Sequence, residues 1–452
     1  MGLACASLLA LGLVDNARGP LLSAIMGAYS LNHTQASWFF FLASGAGLIH
    51  NAIFLNYLSR AQPLRLLRLY MGIMAFGVLI LGITPLISSS YEVFLIGAVA
   101  LGVGFGGLGV AQNACVQEAP AEFRAQSTAL LHAMYGLASL SSPFLIVQLR
   151  TWGLAGDAQS WSLSFVICAL PALALWPLIS RELRESPSPI HLSGASGSPH
   201  PEAAEFQTER VSGEAQAAKR GAGSRGDQEP SPRAASAWLA ACLLAFMVVA
   251  EVSISSRLVL FAEESRWPTA TAGLWLTGFF IALTLARLSL AVGLWDRLER
   301  QATSMIRRFR KLPPDLRRGP SSDPSRRLRT VLWMAMPFLV IGLADFGWPT
   351  QASLTALMVF GFPIAMAYPL AITWYAQAFG ASRQRVLSLA VTLQSAAAMC
   401  MHLLLGWGAD HYGLRSALLV ISLGSLAIAL ILLGPLRRLL RVEGAVIHSS
   451  TS

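Results

Sequence analysis

Charge is scarce in this chain. Asp, Glu, Lys and Arg make up 12% of its 452 residues, about half the share usual in a soluble domain. So few charges cannot clothe a globule in water, and with 54% hydrophobic residues the chain is not a disordered one either. Cysteine is sparse as well: Cys5, Cys115, Cys168, Cys242 and Cys400 fall singly in apolar stretches. That placement excludes a disulfide framework and a zinc site and leaves small packing residues. No Ser/His/Asp or Cys/His arrangement and no metal-ligand spacing is present, so neither an enzyme nor a cofactor is expected. Gly104-x-Gly106-x-x-Gly109 copies the dinucleotide fingerprint, but no strand precedes it and no βαβ unit contains it. Glycines inside an apolar helix serve close helix approach instead.

What the sequence does have is apolar runs, each near the ~20 residues that cross about 30 Å of hydrocarbon. About twelve are predicted, over 3–29, 37–58, 66–87, 92–115, 126–149, 160–180, 238–262, 270–294, 330–349, 352–374, 384–407 and 415–436. The fold class is an all-α polytopic membrane protein with two six-helix bundles. Leu3–Val14 resembles a signal peptide core, but no basic segment precedes it and apolar character resumes through Tyr29, so it is read as part of helix one.

Basic residues set the orientation, because Lys and Arg are retained in the cytoplasm during insertion. Arg60, Arg65, Arg68, Arg383, Arg385, Arg437, Arg438 and Arg441 all lie on one side if both termini are cytoplasmic, as does segment 294–330 with eleven Arg or Lys against four acids. The opposite loops are short and almost uncharged. This asymmetry accounts for the net charge of +10 without nucleic acid; the basic face meets lipid headgroups of a plasma or inner membrane.

The chain divides into an N-terminal bundle (1–183), a disordered cytoplasmic linker (184–236), a C-terminal bundle (237–442) with a basic insertion (295–329), and a tail (443–452). Within the insertion, Arg297–Leu312 reads equally as a surface amphipathic helix or an unstructured loop. Two halves joined by a long cytoplasmic loop are a pattern of secondary transporters. Arg124-x-x-Ser127-x-Ala129 and Arg385-x-x-Ser388-x-Ala390 are a weak echo between the halves.

Asp15-Asn16-x-Arg18-Gly19-Pro20, the glycine run Gly102–Gly109 followed by Asn113, and Arg124 through Leu131-His132-Ala133-x-x-Gly136 and Pro143 resemble the major facilitator superfamily. The likeness is to its fucose-permease-like, sugar and organic-solute branch. Glu251-x-Ser253-x-Ser255, Ala286-Arg287-Leu288, Gly361-x-Pro363, Tyr368-Pro369 and Gly406-x-x-Ala409-Asp410-x-x-Gly413-x-Arg415 extend the resemblance. It implies alternating access between two bundles, with Arg287, Asp410 and Arg415 structural or gating. Asn56–Arg68 departs from the family pattern: Arg60 and Pro63 stand where an acid and a second glycine are usual.

Ionisable groups at membrane depth are expensive and face a cavity or a partner. Asp15 and Arg18 share a helix face; they are either a proton-coupling carboxylate with a modulating or anion-gripping arginine, or a structural ion pair. Glu251 has no basic residue within one turn, so apolar surroundings would favour its neutral form, for coupling or solute contact. Arg257 is expected to snorkel to the external interface, Arg287 to face helix seven or the cytoplasmic opening, and Asp345 to sit at the interface. Asn16, Gln112, Asn113, Gln117, His132, Tyr135, Gln394 and His402 are candidates to line a cavity with amide, imidazole and hydroxyl groups suited to hydroxylated solutes. Trp38, Trp374 and Tyr375 are read either as stacking partners for a solute or as interface anchors.

The expected function is secondary active transport of a small polar solute such as a sugar or organic acid, coupled to protons or another ion, by a monomer. Proton-driven efflux of amphiphilic compounds and a non-transporting receptor or assembly factor are the alternatives.

Overall fold

The computed structural model describes residues 2–58, 61–118, 120, 124–151, 160–185, 234–291, 297, 301 and 324–450. The linker 186–233 and nearly all of the basic insertion lie outside these residues. The described residues form twelve long helices: α1 (Gly2–Tyr29), α2 (His33–Leu58), α3 (Pro63–Ile87), α4 (Tyr91–Gln117), α5 (Arg124–Thr151), α6 (Ser160–Glu185), α7 (Ala234–Glu264), α8 (Thr269–Ala291), α9 (Pro324–Leu343), α10 (Thr350–Phe379), α11 (Arg383–Tyr412) and α12 (Leu414–Ser450). Their backbone polar groups bond within each helix, as an apolar solvent requires.

Ten of the twelve are long and apolar enough to cross a membrane; α5 and α9 are not among them. The first turns of α9 hold Arg326, Arg327 and Arg329, and α5 carries Arg124, His132 and Arg150. Helix α9 sits nearer the N-terminus than expected, at 324–343 rather than 330–349. Pro324 occupies its start, where a missing N–H is harmless, and Gly347, at φ +69°, lies in the connection that follows it. Helix α12 runs past its expected end at 436 and through most of the tail, to Ser450.

Small residues bring helices together inside each half. A Cβ on Gly102 of α4 would meet the Ala43 backbone of α2, and one on Gly104 would come within 2.7 Å of the Met74 backbone of α3. The false fingerprint is therefore a packing surface with two neighbours.

The halves α1–α6 and α7–α12 meet along α2 with α11, α5 with α8 and α1 with α7. Their tightest closures lie near residues 33–37, 143–150, 257–263 and 402–410, at the end of the molecule carrying the 30–32, 265–268 and 413 connections. Toward the other end α2 and α11 line a cavity between them.

Candidate functional site

Helix α1 presents Asp15, Asn16 and Arg18 on one face, and each is fixed by α5 or its own helix. Arg18 pairs with the Asp15 carboxylate, and its Nε donates to the Asp15 carbonyl at 3.2 Å. The Tyr135 hydroxyl of α5 donates to Asp15 Oδ2 at 2.6 Å. Asn16 donates to Gly12 O at 2.8 Å and to Ser139 Oγ at 3.1 Å. The Arg18 guanidinium also stands over Phe40 at 5.4 Å and Phe105 at 5.2 Å, so its flat faces rest on aromatic rings while its edge holds the acid.

The opposite half supplies a second pair: Arg287 of α8 lies 3.6 Å from Glu251 of α7. Both pairs line one cavity of about 150 Å³, with Tyr135 and Ser139 on one side and Ser255, Ser256 and Thr284 on the other. That is room for a few water molecules or a compact solute. Arg18 and Val252 also line a larger cavity of about 670 Å³. It continues between Ser44 and Asn51 of α2 and Ser388, Thr392, Gln394 and Ser395 of α11, toward the start of α11, which bears Arg383 and Arg385.

The other end is closed by polar contacts between halves. Asp410 of α11 accepts from the backbone N–H groups of His33 and Thr34 of α2, both at 2.8 Å. Arg150 of α5 donates to Glu263 of α7 and to the Pro20 carbonyl of α1, both at 3.0 Å. His33 lies 3.4 Å from Glu264.

Of the residues singled out from the sequence, Asp15, Asn16, Arg18, Tyr135, Glu251, Arg287 and His402 converge on the smaller cavity, and Gln394 reaches the larger one. Arg287 faces α7, one of the two placements anticipated. Gln112 does not reach the cavity: it is buried and donates to Ser7 of α1 at 3.0 Å. Asn113 turns back to the Gly109 carbonyl at 2.8 Å on an exposed face. The side chains of Gln117 and His132 lie outside the described residues. Asp410 joins the halves, whereas Arg415 stays within its own, at 3.3 Å from Asp345 and 3.0 Å from Ser353. Tyr375 is buried and donates to the Ala240 carbonyl at 2.7 Å, with Trp374 buried beside it; both pack α10 rather than a solute. Trp38 lies on an exposed face.

Arg257 overturns its expected place. It does not snorkel: it is 1% exposed, donates to Ser37 Oγ of α2 at 2.7 Å and stands over Phe40 at 5.1 Å. Snorkelling needs a path to water, and the seam between halves closes that path. Sequence reasoning also missed Phe40, Ser139 and the Arg150–Glu263 bridge. Ser139 follows Tyr135 by one helical turn, a spacing that marks it as a neighbour; nothing in the spacing of the others pairs them across the chain.

The arrangement suits reversible binding. Two acid–base pairs lining one cavity can each give up a partner to an incoming proton or polar group, while hydroxyls and an amide can bond the rest of a solute. The model of the Major Facilitator Superfamily matches residues 4–384. No curated protein matches the chain. Among solved structures, a D-xylose-proton symporter is 13% identical, covering 94% of this chain and 95% of that one, with a TM-score of 0.66. The E. coli xylose transporter XylE in its inward open conformation is 14% identical over 95% and 94%, TM-score 0.66. FucP in the outward conformation is 17% identical over 96% and 98%, with a lower TM-score of 0.53. At these identities the structures show the shared fold, and the family model shows the family. The chain belongs to the major facilitator superfamily and is a multi-pass membrane transporter, not an enzyme.

Proposed function

We propose that this protein takes up a small polar solute together with a proton, by alternating access. The observation that carries the reading is the pair of carboxylate–guanidinium couples, Asp15 with Arg18 and Glu251 with Arg287, one from each half and facing one cavity. A proton on either carboxylate loosens its arginine, which then bonds the solute, so proton and solute loading become linked. A neutral carboxyl is also easier to enclose than an anion during reorientation. With the arginine-bearing end in the cytoplasm, the larger cavity is the release path and the Asp410 and Arg150 contacts form the closed outer gate. The sugar-transporting neighbours support a polar solute.

Reconstituted protein should accumulate a solute from a panel of sugars, polyols and organic acids under an imposed pH gradient, acidic outside. Collapse of accumulation by a protonophore supports coupling. Accumulation indifferent to the gradient contradicts it.

A further inference from the structure

The seam above the smaller cavity carries a positive charge that forms no ion pair among the described residues. Arg257 is 1% exposed, yet among the described residues its only hydrogen bond is to Ser37, and its Nε and Nη1 have no partner there. Its guanidinium stands over Phe40, the same ring that Arg18 covers. On that ring His402 is stacked at 4.6 Å, 4% exposed and with Nδ1 unpartnered. Phe40, Arg18 and His402 all line the cavity, and Arg257 reaches its border through Phe40. Glu264 acts on Arg257 electrostatically from the rim but pairs with His33.

Counting the cavity and its roof, three guanidinium groups (Arg18, Arg257, Arg287) face two carboxylates (Asp15, Glu251), with Glu264 acting on Arg257 from the rim. Buried N–H groups of a guanidinium left without acceptors are costly, and an arginine fork matches a carboxylate in shape and charge. The serine contact that now holds Arg257 lies in the gate that must open for loading. When α2 withdraws from α7, Ser37 leaves and the guanidinium faces the incoming solute.

Resting on the reading of the protein as a proton-coupled carrier, we propose that its solute is a small organic monocarboxylate and that Arg257 is the residue that selects it. A monoanion entering with one proton leaves the net charge of the cavity unchanged, so the loaded carrier reorients as readily as the empty one. An uncharged solute with a proton would add a positive charge that nothing carried with it cancels. A dianion would bring a negative charge beyond what the proton cancels. Phe40 then serves as the lid that turns aside to admit the carboxylate to Arg18 and His402.

Matched probes test this on the full chain: gluconate against sorbitol and lactate against 1,2-propanediol. Thermal stabilisation of the purified protein reads binding, and flux with pH change in proteoliposomes reads transport. Both should favour the carboxylate of each pair. Arg257→Gln should raise the KM for the carboxylate by about tenfold or more, as expected for one lost charge-assisted hydrogen bond, and Arg257→Lys should recover part of it. A lower melting temperature without a change in KM would mark Arg257 as structural and overturn its selecting role. Proton-coupled flux of the polyols alone overturns the inference and leaves the coupled carrier standing. Carboxylate flux without proton movement removes the coupling but keeps the solute class. If no probe crosses, stabilisation by neither carboxylate overturns the inference.

Discussion

Asp410, near the end of α11, caps α2 of the opposite half: its two carboxylate oxygens accept from the backbone N–H groups of His33 and Thr34 at 2.8 Å and from the Thr34 hydroxyl at 2.5 Å. The first N–H groups of a helix have no partner within it and carry the positive end of its dipole. Here the partner comes from across the molecular seam, so helix capping and gate closure are one interaction. Asp410→Ala should therefore favour the open outer gate by about 1–2 kcal/mol, a factor of roughly 5–30 in the equilibrium. Spin labels at Ser30 and Tyr412, both exposed at this end, should report longer distances in the variant. An unchanged distance distribution would place the closure elsewhere.

The Tyr135 hydroxyl and Arg18 both hold Asp15. Tyr135→Phe removes one hydrogen bond from a neutral donor to a carboxylate and should weaken solute-driven proton uptake several-fold, with expression and melting temperature near wild type. Asp15→Asn should go further: exchange of solute between equal pools persists, while accumulation against a gradient is lost. Counterflow and accumulation measured on the same vesicles separate the two; loss of both would make Asp15 structural.

Packing predicts a contrast between two glycines of α4. A methyl group at Gly102 collides with the Ala43 backbone, whereas one at Gly109 meets nothing within 4 Å. Gly102→Ala should cost about 1–3 kcal/mol through overpacking and lower the melting temperature in detergent; Gly109→Ala should leave it unchanged. Equal behaviour of the two would contradict the α2–α4 contact.

The architecture was legible because apolar runs of membrane-crossing length announce themselves singly, and eleven of the twelve predicted spans fall on the helices with only their ends moved. Helix α9 shifted because Pro324, a helix starter, outweighed the three arginines that had excluded its first turns. Asp15 and Arg18 were readable as a pair from their spacing on one helix. Glu251 and Arg287 were readable only as unpaired charges, since their partnership depends on how α7 and α8 pack. Arg257 misled for a related reason: α7 is apolar nearly all round, so its sequence does not mark which face lies in the seam. Gln112 looked like a cavity amide because its acceptor, Ser7, sits 105 residues away and gives no signal of its own.

Glu251 tests the coupled-carrier account most directly. In proteoliposomes containing wild type or Glu251→Gln, internal pH is followed while sugars, polyols and organic acids are added in turn. The account predicts a pH change with the transported solute in wild type and its loss in the variant, with isotope-labelled solute still exchanging. Solute flux without proton movement in wild type, or an undiminished pH change in Glu251→Gln, would contradict it.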